Sequence, residues 1–147
     1  MSAAAAYTVV PFETAHVPEV FALWRACEGI GMQGETEAMV CECLRRSPGM
    51  SFVAIRDGRI AGAVLCTSDG RRGYLHHLAV AADARRLGIG RALAEAGAAV
   101  MRAQGLPRVH LFVLANNPGG LEFWRSLGWW VREDLVMMSR QLVPPGD

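Results

Sequence analysis

The sequence predicts a mixed α/β domain of the α+β kind, a mostly antiparallel central sheet flanked by helices, within one domain over residues 1–147. Three observations predict it. Ser51–Arg56, Arg59–Thr67 and Tyr74–Val80 are consecutive strand-like runs joined by tight turns, the first of them Asp57-Gly58. A glycine-opened helical stretch then leads into a further strand-like run, so a strand feeds a helix that returns to the sheet. Finally, 147 residues that are 52% hydrophobic and 20% charged can bury one core and carry too little charge for a disordered chain.

Taken in order, Tyr7–Phe12 is short, β-branched and aromatic, and reads as the opening strand. Thr14 then suits an N-cap, and Val17, Val20, Phe21 and Trp24 form one apolar stripe at helical spacing. Gly29, Gly31 and Gly34 break this helix into a loop, and a second helix is expected over Glu35–Arg46, stopped at Ser47-Pro48-Gly49. After the three strands comes a long helix, Gly88–Gln104, with Leu93, Ala96, Gly97, Val100 and Met101 facing inward. Gly105-Leu106-Pro107 ends it. Arg108–Leu114 is a strand, Pro118–Leu127 a short helix, and Trp129–Leu142 closing β structure around a turn at Glu133-Asp134. Trp129 and Trp130 are expected on opposite faces of that closing strand.

Composition removes several function classes. Fifteen basic residues stand against fourteen acidic ones, which leaves no basic excess for general nucleic-acid binding. All fifteen are arginine, the better residue for forked contacts to phosphate and carboxylate. Genome composition gives the same bias, since Ala and Gly are abundant too. No apolar run has the roughly 18–20 residues of a membrane-spanning helix, and Met1–Ala6 lacks the basic and apolar regions of a signal peptide, so a cytoplasmic protein with no membrane partner is expected. Cys27, Cys41, Cys43 and Cys66 form no pair of metal knuckles and fit reduced thiols in that compartment.

The most informative stretch is Val80–Arg91. A strand ends, a loop crosses, and Gly88-Ile89-Gly90 opens a helix. Helix-start N–H groups lack internal partners and carry the positive end of the dipole, glycine admits a phosphate close to the backbone, and Arg85, Arg86 and Arg91 add charge for a diphosphate. A P-loop is excluded, because a chain without lysine cannot supply its Gly-Lys-Ser/Thr. A dinucleotide fingerprint is excluded too, because Leu93 stands where its third glycine belongs.

Arg85-Arg86-Leu87-Gly88-Ile89-Gly90 resembles the Arg/Gln-x-x-Gly-x-Gly/Ala motif of the GNAT superfamily of acyl-CoA-dependent N-acetyltransferases. Asn117–Trp129 is similar to that family's Asn-x-x-Ala-x-x-Phe-Tyr-x-x-x-Gly-Phe segment, and the order and spacing of the two stretches also fit. The resemblance implies a sheet that splays where acetyl-CoA, the acyl-donor cosubstrate, inserts. Leu78, Ala79 and Val80 would line the pantetheine arm, with the Val80 N–H as oxyanion donor. Arg85, Arg86, Gly88, Ile89, Gly90 and Arg91 would hold the pyrophosphate, while Asn117 and Trp124 would lie on the cofactor side. The first helix with Trp24 resembles small bacterial ribosomal-protein-alanine-acetyltransferase-like members, and a homodimer follows from family likeness alone.

Aminolysis of a thioester needs a neutral amine, a polarised carbonyl and a proton for the leaving thiolate. The sequence departs from the family at both customary positions. Trp124 replaces the Tyr acid, and the places of a Glu base are taken by Phe112 and Tyr74. Strand alternation puts Tyr74 and His76 on the face of Leu78 and Val80, with His77 on the opposite face. His76 is therefore the candidate base and Tyr74 the candidate thiolate donor. Glu28 and Glu35, near the glycine-rich loop, can recognise a cationic amine, act as a base or be solvated surface acids; His16 and His110 are expected to be structural. The reading is acetyl transfer from acetyl-CoA to a primary amine, small molecule or peptide N-terminus, in a ternary complex. The alternative is a non-catalytic acyl-CoA-binding sensor, motivated by Trp124 and Phe112.

Overall fold

A computed structural model describes residues 6–144. Strand β1 (Thr8–Pro11) leads through a short 3-10 turn, Thr14–His16, into α1 (Val17–Ala26). The turn opens on a capping box at Glu13, whose N–H is accepted by His16 Nδ1 at 3.0 Å, so His16 has a structural role. Helix α2 spans Glu37–Arg46, with the Thr36 hydroxyl accepting the Met39 N–H; this cap sets the start two residues after the sequence-based boundary. Strands β2 (Phe52–Arg56), β3 (Arg59–Ser68) and β4 (Gly73–Val80) follow, then α3 (Ile89–Ala103), β5 (Val109–Leu111) and α4 (Pro118–Ser126). Asp57 and Gly58 both have positive φ, 51° and 73°, as the two-residue hairpin between β2 and β3 requires.

The five strands form one sheet in the order β1-β2-β3-β4-β5, antiparallel except for the β4–β5 pair. Alternation along the strands feeds two cores, one on each face. Val10, Val53, Ala63, Leu65 and Ala79 pack under α1 and α2, around a Trp24 with no exposed surface. Ala54, Val64, Cys66 and Leu75 pack under α3, against Ile89, Leu93 and Met101. Burial pushes the Cys66 thiol up to about 12. None of the four cysteines is bonded to another. Among the described residues no helix is long and apolar enough to cross a membrane.

The expected closing β structure does not form. Residues 129–143 contain no strand, although the turn at Glu133-Asp134 is present. Arg132 clamps Asp134 through two hydrogen bonds of 2.9 Å, which fixes the turn locally. The arms beyond it lack a ladder partner, because β5 is only three residues long. Val136 and Met138 are each 89% exposed. Trp129 is half-buried and packs edge-on to Trp124 at 5.1 Å, whereas Trp130 is exposed, so the two do not flank a strand.

Candidate active site

The parallel pairing of β4 and β5 stops at Leu75–Leu111, yet β4 runs on to Val80. Beyond that point β4 has no strand neighbour on its β5 side among the described residues, and a cleft of about 460 Å3 opens there. Leu78, Ala79, Val80, Arg85, Arg86, Gly88, Ile89, Gly90 and Arg91 all line it, so these expected cofactor residues are brought to one place. The Ala81 N–H donates to Ala61 O at 2.8 Å on the β3 side. An antiparallel ladder alternates, so the N–H and C=O of Val80 turn the other way, into the opening. Its carbonyl accepts the Cys27 thiol there at 3.6 Å.

The floor of the cleft is the turn into α3. Arg86 (φ 66°) and Gly88 (φ 82°) both adopt left-handed backbone at the start of α3, a local geometry whose free N–H groups are suited to an anion. A Cβ on Gly90 would stand 3.1 Å from the Phe123 ring, so α3 and α4 approach closely here and a larger residue would have to displace that ring. These features suit a diphosphate on a narrow arm: a glycine-lined wall, inward N–H groups and three arginines.

The catalytic candidates are placed differently from the sequence expectation. Leu65 faces His76 and Ala63 faces Ala79, so the single residue Val64 opposes both His77 and Leu78. This is a β-bulge, and His77 sits in it with φ 45°. The extra residue reverses the alternation. Leu78 and Val80 join the α3 core, whereas Tyr74, His76 and Ala79 belong to the α1/α2 face. His77 lies on that face too, edge-on to Trp24 at 5.0 Å and 3.6 Å from Glu35. The expected shared face of Tyr74 and His76 with Leu78 and Val80 is therefore corrected, as is the opposed His77.

His76 accepts from or donates to the Thr67 hydroxyl at 3.1 Å and stacks on Tyr74 at 6.3 Å. Burial, then the neighbouring His77, holds its pKa below the ordinary 6.5, against an opposing pull from Glu35. Asn117 caps α4, its side-chain oxygen accepting the Gly120 N–H at 3.0 Å. Trp124 and Tyr74 line a second cavity of about 970 Å3 between β5, α4 and the C-terminal segment. Phe123, not Trp124, borders the arginine-lined cleft. Sequence reasoning missed Phe123, Cys27 and Ile30 as lining groups. The glycine-rich loop after α1 was the available signal for the last two, since it lets the chain cross close to Asn117 and Leu114.

The profile of the Acetyltransferase (GNAT) family matches residues 17–129. Acetyltransferase SG1711 of Sodalis glossinidius (strain morsitans) is 26% identical over 125 residues, covering 85% of this chain and 88% of that protein. Among solved structures, the aminoglycoside N-acetyltransferase AAC(6')-Iy in complex with CoA superposes with a TM-score of 0.76 at 16% identity, covering 97% of this chain and 99% of the other. The ribosomal-protein-S18-alanine N-acetyltransferase from Escherichia coli gives 0.69 at 22% identity, covering 83% and 76%.

Proposed function

The chain belongs to the GNAT acetyltransferase family and is an acyltransferase, and from that premise we propose that it moves an acetyl group from acetyl-CoA to a primary amine, on a small molecule or a peptide N-terminus. The observation that carries this reading is the opening beside β4, where the Val80 N–H and the arginine-glycine turn serve one cleft. The family's acetyl-CoA supplies an activated thioester. Arg85, Arg86, Arg91 and the N–H groups from Gly88 to Gly90 hold its diphosphate, with Leu78 and Ala79 along the narrow arm. The Val80 N–H donates to the carbonyl oxygen where negative charge develops. Asn117 and Trp124 act less directly, the first by capping α4 beside the cofactor and the second by packing behind Phe123.

An alkyl ammonium must lose a proton before attack. His76 takes it, directly or through water, because burial keeps the imidazole neutral at physiological pH. Tyr74, stacked on His76, donates to the departing thiolate. Transfer is direct, in a ternary complex with both substrates held in place. The enzyme is cytoplasmic in this reading, where acetyl-CoA is made available and its four free thiols stay reduced. It works as a single catalytic domain and pairs as a homodimer through the exposed apolar run after Asp134.

The test is thiol release from acetyl-CoA against a panel of alkylamines, polyamines and peptide N-termini. Release that depends on one class of acceptor is the expected result. Tight acetyl-CoA binding with no release for any acceptor would leave the cofactor-binding sensor as the reading, the one that Trp124 and Phe112 favour.

A further inference from the structure

The cavity between β5, α4 and the segment after α4 is given no ligand by the acetyl-transfer reading. It holds about 970 Å3, against about 460 Å3 for the arginine-glycine cleft, and the two share no lining residue. Phe123 borders the cleft and Trp124 the cavity; the two rings, edge-on at 5.0 Å, form the partition. Trp124, Trp129 and Trp130 give the cavity flat apolar walls, and Trp130 keeps 63% of its surface in water. A large indole left exposed beside a cavity is apolar area that a ligand can bury. The same lining holds Arg108, Arg125 and Arg132, and among the described residues no aspartate or glutamate lines it. Asp134 pairs with Arg132, whereas Arg108 and Arg125 have no carboxylate within ion-pair distance among the described residues. Arg108 lies instead over the Trp130 ring, 5.5 Å from its centroid. His110 on the same wall senses the resulting field. Burial first, then Arg132, Arg108 and Arg72, disfavours its protonated form, against an opposing pull from Asp69.

We propose that this cavity is a second ligand site, for a planar aromatic ring that carries a carboxylate or a phosphate. The ring buries its faces against the indoles, and the anion takes the guanidinium forks of Arg108 and Arg125, whose N–H donors match either group. A volume near the top of the range for small-molecule sites, about 300–1,000 Å3, leaves room for two fused rings. A cationic amine meets like charge here, so the cavity differs in chemistry from a place for the acceptor. No bond forms or breaks. The site stands apart from the cofactor cleft, and binding in it is measurable whether or not the protein turns over acetyl-CoA.

Isothermal calorimetry on the whole protein tests this with 2-naphthoate and 2-naphthyl phosphate, which share a ring and differ in the anion. Saturable heat with one or both is expected, and the stronger of the two names the anion. The uncharged ring, 2-naphthylmethanol, and the ringless anion, hexanoate, each bind about 10-fold more weakly. Arg108→Gln weakens the anion roughly 10-fold and leaves the alcohol unchanged, whereas Trp130→Ala weakens both. Both residues are exposed, so neither change touches the core. Excess CoA leaves the affinity as it was. Silence with both anions, equal binding of the alcohol or hexanoate, an unchanged affinity in either variant, or displacement by CoA overturns the proposal.

Discussion

His76 lies half-buried against the sheet, paired with Thr67 and stacked on Tyr74, and its protonated form is disfavoured there. Two outcomes follow from that depressed pKa. In catalysis, the acid limb of kcat lies below the ordinary histidine value of 6.5, and His76→Ala removes the limb along with roughly 100-fold of rate. An unchanged rate and pH profile in His76→Ala rules it out as the base. In folding, the sign runs with protons bound: between the two pKa values the unfolded chain binds more protons, so stability rises with pH. The protein therefore loses stability as pH falls through 6.5 toward the folded-state value, and His76→Gln blunts that loss in denaturant titrations at pH 5 and pH 7. The candidacy of His76 and Tyr74 was legible from their types and positions. Their true face was not, because period-2 alternation assumes one residue per step, and His77 adopts a left-handed conformation without being glycine or asparagine.

At the scale of the element, the turn into α3 was the most legible part, since glycine spacing and clustered arginine mark locally the residues that line the cleft. Each charge-assisted phosphate contact is worth about 1.5–3 kcal/mol. Arg91→Ala is thus expected to weaken CoA binding roughly 10- to 100-fold by calorimetry, with no change in thermal midpoint for the free protein, because Arg91 is exposed on the first turn of α3. Helix α1 was legible in the same local way. Its stripe converges on Trp24, packed against Phe12 and Phe21 at 6.2 and 6.3 Å. Trp24→Ala is expected to cost about 3–5 kcal/mol in denaturant unfolding, and Trp24→Phe far less, since it keeps a ring and deletes the unpartnered N–H. The segment after α4 was the least legible. Apolar alternation there suggests strands, but a strand needs a neighbouring edge, and that is a property of the partner rather than of the segment.

The molecule as a whole places two helical layers on two faces of one sheet and leaves the C-terminal run outside both cores. Val136, Met138 and Leu142 are 89%, 89% and 86% exposed, an apolar surface that a homodimer would cover. Sedimentation equilibrium is expected to return twice the chain mass, and Val136→Lys combined with Met138→Glu to return the monomer with an unchanged circular dichroism spectrum. A monomeric wild type would show that the run serves another purpose. The splay between β4 and β5 was available only through family likeness, since no local pattern says where two parallel strands part.

The bulge in β4 also separates the regularity of the strand from its contacts at a single position. His77 is the surplus residue of the two that oppose Val64, so excising it would restore a regular ladder in which Tyr74, His76, Leu78, Ala79 and Val80 all keep their present faces. The strand would be mended, shorter by one and free of its left-handed link. Missing from it would be the imidazole that turns toward Glu35. The residue that interrupts the ladder is the one that ties β4 to α1, through Trp24, and to the loop before α2, through Glu35.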